Sequence, residues 1–161
     1  PVILVSIGTQ LPFDRLVTAV ERWAASRGRT DVVMQIGDGR APAALPWVRS
    51  LSPEAFRDHL ARAELVVAHA GMGVTLSALA AGRPLLLLPR RASLGEHRNE
   101  HQLATARRLA NVPGVRVCEE EGELAAALDA PPAPPPNALS ATAPAPLLSA
   151  VHGFVFAKRR A

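Results

Sequence analysis

The stretch 65–110 constrains the fold more than any other part of the chain. An apolar run, Leu65-Val66-Val67-Ala68, stops at His69-Ala70-Gly71-Met72-Gly73 and gives way to residues at helical spacing. A strand that enters a glycine turn and then a helix is the building unit of a parallel α/β sheet. A second apolar run, Leu85-Leu86-Leu87-Leu88, ends at Pro89-Arg90-Arg91 and leads into a polar stretch with Glu96, His97, Asn99, Glu100, His101 and Gln102. Two strand ends thus bring polar groups to one edge of a sheet, where open α/β folds bind ligands. Glycine lets backbone approach a ligand closely, and the unpaired N–H groups of a helix's first turn favour an anion. A phosphate-bearing ligand is the expectation.

The same alternation extends in both directions. Residues 2–7 read as a buried strand closed by Gly8-Thr9-Gln10. Phe13, Leu16, Val17, Val20 and Trp23 then recur at helical spacing, which predicts an amphipathic helix over 12–26. A second strand is expected over 31–36, stopped by Gly37-Asp38-Gly39, and a short third over 47–51. Ser52-Pro53 is a helix start, serine as cap and proline in the first turn, and that helix is expected to reach about residue 63. After the two strand–helix units come a last strand over 115–118 and a short helix over 121–128. The pattern predicts an α/β domain over 1–130, a Rossmann-like parallel sheet with helices on both faces. Residues 131–146, rich in proline and alanine, suit neither helix nor inner strand and read as an extended linker. The tail 147–161 is an apolar run followed by Lys158-Arg159-Arg160. It is too short to span a bilayer but suits docking on the domain, on a partner or on a membrane surface.

Composition removes several function classes. Aromatic residues make up 4% and tyrosine is absent, so the stacking platform of a single-strand nucleic-acid binder is missing and no nucleic-acid partner is expected. The net charge of +4 is carried almost wholly by arginine, Lys158 being the only lysine, and suits phosphates, an acidic partner or an anionic membrane. Cys118 is the only cysteine, which excludes an internal disulfide and a multi-cysteine zinc cluster and fits a reducing cytoplasm. No signal-peptide pattern precedes the first strand, so a cytoplasmic location is expected.

The motifs divide by specificity. Gly71-Met72-Gly73 alone is weak, because glycine after a strand commonly serves the turn itself. A dinucleotide fingerprint needs a third glycine where Leu76 stands, and no Gly-Lys-Ser/Thr exists for a nucleotide-hydrolysing P-loop. Gly8-Thr9-Gln10 repeats the strand–glycine architecture, and two such turns in one small sheet carry more weight than either. His97-Arg98-Asn99-Glu100-His101 fits H-x-x-E-H, a zinc-peptidase signature that needs both histidines on one helix face and a third ligand from a run such as Glu119-Glu120-Glu121. Patterns this short arise easily by chance, and solvated residues leading into a helix are the simpler account.

Several of these segments together resemble a known family. Val5-Ser6-Ile7-Gly8-Thr9-Gln10, Pro12-Phe13-Asp14-Arg15-Leu16, His69-Ala70-Gly71-Met72-Gly73, Gly82-Arg83-Pro84, Leu88-Pro89-Arg90-Arg91, Gly95-Glu96-His97 and His101-Gln102 fall in order and at similar spacing. They resemble the carboxy-terminal, donor-binding domain of family 28 glycosyltransferases, especially the small subunits of split bacterial exopolysaccharide transferases. The eukaryotic split N-acetylglucosamine transferase of dolichol-linked oligosaccharide synthesis is similar too. The resemblance implies the C-terminal half of a GT-B fold and a UDP-sugar as substrate, with no metal and no cofactor. It also implies an inverting transfer to a lipid-linked saccharide. Partnership with a membrane-anchored acceptor-binding half-transferase follows from it, with this chain peripheral to the inner membrane face. The catalytic base is then expected on the partner.

Carried over by position, Gly8, Thr9 and Gln10 face the diphosphate, as does the turn from His69 through Gly71, Met72, Gly73 and Val74 to Thr75. Arg90 offsets diphosphate charge, and His101 and Gln102 contact the donor sugar. The small hydroxyl residue usual after the second glycine is Val74 here, and the ribose-binding glutamate of many relatives is Ser77, which leaves Ser77 or Glu96 for the ribose. Two other readings stand beside this one: a non-catalytic UDP-sugar-binding regulatory subunit, and a sugar-nucleotide epimerase of the same superfamily.

Overall fold

In the computed structural model, which describes residues 2–136, eleven elements alternate around one sheet. The strands are β1 (Val2–Ser6), β2 (Val32–Gln35), β3 (Trp47–Val48), β4 (Ala63–His69), β5 (Leu85–Leu88) and β6 (Val115–Val117). The helices are α1 (Asp14–Arg27), α2 (Pro53–Arg62), α3 (Met72–Ala80), α4 (His101–Leu109) and α5 (Leu124–Asp129). All five strand pairings are parallel, and the order is β3-β2-β1-β4-β5-β6. This is the Rossmann-like arrangement the sequence predicts.

The sheet is apolar on both faces because helices cover both. Ile3 and Val5 of β1, Leu65 and Val67 of β4, and Leu86 and Leu88 of β5 point to one side, where they meet Leu16, Val17 and Val20 of α1 and Leu124 and Leu128 of α5. The alternate residues Leu4, Val66, Leu85 and Leu87 pack on the other side against Leu60, Ala78, Leu79 and Leu109 from α2, α3 and α4. Period-two alternation of purely apolar residues is what a strand buried on both faces requires. A fully buried Leu or Val contributes about 1.5–3 kcal/mol by leaving water, and strands and helices share that burial on both faces.

Element boundaries differ from the sequence expectation where side-chain contacts outweigh pattern. Helix α1 starts at Asp14 rather than at residue 12, because Phe13 is turned wholly into the core as the N-cap. The short helix expected over 121–128 is a 3-10 turn at Glu121–Glu123 followed by α5. Strand β3 is two residues long, not five. The start of α2 is as expected: Ser52 Oγ accepts from the Ala55 backbone N–H at 3.1 Å and Pro53 opens the helix. Pro135 packs against Gly114, just before β6, and Arg116 donates to the Ala130 carbonyl, so the first part of the proline-rich stretch lies at the amino end of the sheet. The tail and the rest of that stretch lie outside the described residues.

Candidate functional site

Strands β1 and β4 are neighbours at the centre of the sheet, and the strand order runs outward from them in both directions. Loops leaving their carboxyl ends diverge to opposite faces, which opens a crevice between them. A cleft of about 800 Å³ occupies that position. Its floor is the Gly8-Thr9-Gln10 turn after β1 and the residues from His69 to Val74 that lead into α3. One wall is apolar, built by Leu51, Pro53 and Phe56 around the start of α2, with Met72 beside it. The other is polar, with His97, Asn99, His101, Thr105 and Arg108. The two glycine turns thus converge on one cavity.

Helix α3 has Gly71 as N-cap and no side chain caps it, so its first-turn N–H groups face the cleft without intrahelical partners. An unpaired helix start carries a partial positive charge and suits an anion. Gly73 stands in this turn, and a Cβ placed there meets nothing within 4 Å. Gly8 and Gly71 are different. Gly8 has φ +77°, a left-handed conformation that favours glycine, and a Cβ there would lie 2.6 Å from His69 Nε2. A Cβ on Gly71 would lie 2.1 Å from His69 Cε1. These two glycines make room for the imidazole, and the open approach to the backbone is at Gly73.

His69, the last residue of β4, lies on the cleft floor with its ring against both turns. Burial first, then the nearby positive charge of Arg90 and His97, pushes its pKa down to about 4, so the ring is neutral. Its Nδ1 lies 3.0 Å from Gln102 Nε2, while Gln102 Oε1 accepts from the Arg90 backbone N–H at 2.9 Å. Gln102 is buried, and both ends of its carboxamide are engaged by protein. It also lines the cleft, and one N–H and one lone pair of the carboxamide remain beyond these two bonds. His101, next to it, is exposed at the rim.

Arg90 is likewise committed inward. Its guanidinium is buried and donates to the carbonyls of Pro12 (3.0 Å), Glu96 (3.0 Å) and Ile7 (2.6 Å), over the Phe13 ring at 4.7 Å. Burial pushes its pKa down to about 10, still far above neutrality. Those bonds hold together both ends of the Gly8 loop, and they keep a positive charge in the lining of the cleft, as the expected offset of diphosphate charge requires. Glu96 accepts from Arg15 through both oxygens (2.8 and 2.9 Å) and from the Arg91 backbone N–H, and does not line the cleft. Ser77 donates to the Gly73 carbonyl and Thr75 to the Gly71 carbonyl, and neither lines the cleft. Both candidates for the ribose contact thus stand outside the lining of this cleft.

The zinc alternative loses its premise. Helix α4 begins at His101, so His97 and Glu100 precede it and the two histidines do not share a helix face. Glu100 accepts from the Ser93 backbone N–H, and His97 Nδ1 pairs with the Asn99 backbone. Among the described residues, no three potential ligands converge.

Several cleft residues escaped the sequence reading. Gln35 of β2 is buried, accepts from Ser6 Oγ, and donates to the carbonyls of Gly8 and Arg49, so it fixes the Gly8 turn from below. No local signal marks it. Arg108 was findable, since His101, Thr105 and Arg108 fall on one face of α4 at helical spacing.

The architecture is that of the C-terminal half of GT-B glycosyltransferases. Three solved structures carry the comparison. The glycotransferase of kitacinnamycin matches with a TM-score of 0.61 and 22% identity over 80% of this chain and 34% of its own. The solution structure of ALG13 matches with a TM-score of 0.59 and 16% identity, over 86% of this chain and 90% of its own. MurG from Acinetobacter baumannii matches with a TM-score of 0.58 and 17% identity, over 80% and 40%. The chain thus spans about a third of the first of these. No curated protein sequence matches it. The family model for the glycosyltransferase family 28 C-terminal domain matches residues 2–150, and the chain belongs to that family.

Proposed function

We propose that this chain is the donor-binding part of a two-part inverting glycosyltransferase that moves a sugar from a UDP-sugar to a lipid-linked saccharide. The observation that carries the reading is the convergence of two backbone turns on one cleft: Gly8-Thr9-Gln10 and the uncapped start of α3. Backbone N–H groups directed at one point suit a diphosphate, which needs several donors and no side-chain acid or base. Leu51, Phe56 and Met72 give a flat base an apolar wall, and His101 on the polar wall suits contact with sugar hydroxyls. Arg90 and, from α4, Arg108 both line the cleft and supply positive charge to it. Departure of UDP develops negative charge on its β-phosphate, and preorganised amides and a cation stabilise that charge. No metal is required for this.

Family membership and the ALG13 likeness, in which the two chains match over most of their lengths, favour a separate acceptor-binding half. We place the catalytic base and the lipid acceptor there, with this chain held at the inner face of a membrane through that partner. Among the described residues no helix is long and apolar enough to cross a membrane. A role in exopolysaccharide assembly is the pathway we propose.

Calorimetric titration with UDP tests the donor site. Wild-type chain binds, and Gly73→Val, whose side chain would enter the open space over the first turn of α3, loses binding. Undiminished affinity in that variant would place the site elsewhere.

A further inference from the structure

The Gln102 carboxamide has only one orientation open to it. The Arg90 backbone N–H can only donate, and the atom 2.9 Å from it must therefore be the carboxamide oxygen. The amide nitrogen then faces His69 Nδ1 at 3.0 Å, and that nitrogen must accept. A neutral imidazole that accepts at Nδ1 carries its proton on Nε2. Nε2 lies over the Gly8 turn on the cleft floor and makes no hydrogen bond to protein among the described residues.

We infer that Gln102 is a positioning residue: it locks His69 as the Nε2–H tautomer, so that the ring presents one directed N–H donor to a diphosphate oxygen in the cleft. The inference rests on the donor-site reading above and deepens it. It gives Gln102 a role beside the direct sugar contact that the resemblance implies. The α3 first-turn amides and the His69 Nε2–H then converge as neutral donors, which bind an anion without a buried counter-charge to desolvate. Without the lock, the Nε2–H tautomer keeps only its modest intrinsic preference, and the minor Nδ1–H form would turn an acceptor lone pair toward the phosphate.

The test is the ring-nitrogen spectrum of the ¹⁵N-labelled full chain at neutral pH. Wild type should show His69 with Nδ1 unprotonated and Nε2 protonated. Inorganic pyrophosphate and UDP should each move the Nε2 resonance, and uridine should not. Gln102→Leu, which cannot donate, should give a tautomer mixture. Gln102→Glu, whose carboxylate accepts, should draw the proton to Nδ1 and weaken both UDP and pyrophosphate at least tenfold. Wild-type His69 protonated on Nδ1, or an Nε2 resonance unmoved by pyrophosphate and UDP alike, overturns the inference even where a variant does not fold. So does loss of UDP-sugar affinity with full retention of UDP affinity in the variants, the pattern of a direct sugar contact. If pyrophosphate moves Nε2 while UDP does not bind, the donor role of His69 stands and the uridine-nucleotide reading fails.

Discussion

Gly71 and Gly73 stand two positions apart and answer to different demands. A methyl group at Gly71 would collide with a ring confined by Gly8 and hydrogen-bonded to Gln102. Gly71→Ala should therefore cost on the order of 2–3 kcal/mol in urea denaturation, through overpacking and loss of that bond. Gly73 is in the first turn of α3 with open space beside it, so Gly73→Ala should leave stability equal or raise it by up to about 1 kcal/mol while weakening UDP. The opposite ranking of the two variants in stability would contradict the packing account. The same ring sets a pH dependence. Its pKa in the fold is about 4 against an ordinary 6.5, so between those values the unfolded chain binds more protons than the folded one. Stability contributed by neutral His69 is thus present above pH 6.5 and drains as pH falls toward 4, by on the order of 2 kcal/mol for a largely buried ring with one edge open to the cleft. Denaturation midpoints measured from pH 7 to 4.5 should show this decline, and His69→Gln should flatten it. The surface carboxylates Asp31, Glu121 and Asp129, held below their usual range mainly by arginine partners and, for Glu121, by a backbone hydrogen bond, titrate lower and do not confuse that window.

At the scale of elements, what is legible in the sequence is what local pattern controls. The apolar quartet 85–88 is β5 to the residue, and Ser52-Pro53 begins α2 as a capping serine and a first-turn proline should. The two glycine turns and their shared edge were readable as well, because strand ends in a parallel sheet have only one edge to reach. Long-range polar pairing was not readable. Arg15 and Glu96 meet across 81 positions and Arg90 binds Ile7 across 83, and nothing local in either partner announces the contact. That is why the protein partners of Arg90, Glu96 and Gln102, all apt in chemistry for a ligand, were not readable. The region 97–100 misled for a related reason: its histidine and glutamate satisfy backbone donors of the loop and delay the helix to His101. The Arg90 contacts carry an element-scale prediction. Arg90→Met keeps the length of the side chain but leaves the carbonyls of Ile7, Pro12 and Glu96 without this donor. The variant should lose on the order of 3 kcal/mol in denaturation, and amide exchange in the loop 8–13 should accelerate more than in the central strands. Uniform acceleration across the sheet would show that Arg90 supports the core as a whole and not that loop.

For the whole molecule, the cleft and the amino end of the sheet are at opposite poles. Every residue assigned to the donor site stands at the carboxyl end, whereas Pro135 lies against Gly114 at the other. The carboxyl edge therefore stays clear of the proline-rich stretch up to Pro136, and a second domain can face the cleft directly. Inverting transfer needs a base beside the acceptor hydroxyl and a surface that holds the acceptor in line with the departing UDP. The Gln102 carboxamide and the Arg90 guanidinium at the cleft are hydrogen-bonded to protein, the Glu96 carboxylate lies outside its lining, and the His69 ring is neutral with Nε2 over the Gly8 turn. Glu96 in particular cannot serve as base while Arg15 holds both of its oxygens. The 161-residue chain by itself should accordingly bind UDP and transfer no sugar. Addition of a membrane-anchored acceptor-binding half should restore transfer of radiolabelled sugar to a lipid-linked saccharide, and Gly73→Val in the restored complex should abolish it. Binding of UDP without transfer even in that complex favours a regulatory subunit, while robust turnover by the chain alone would place a base within it and sink the two-part mechanism.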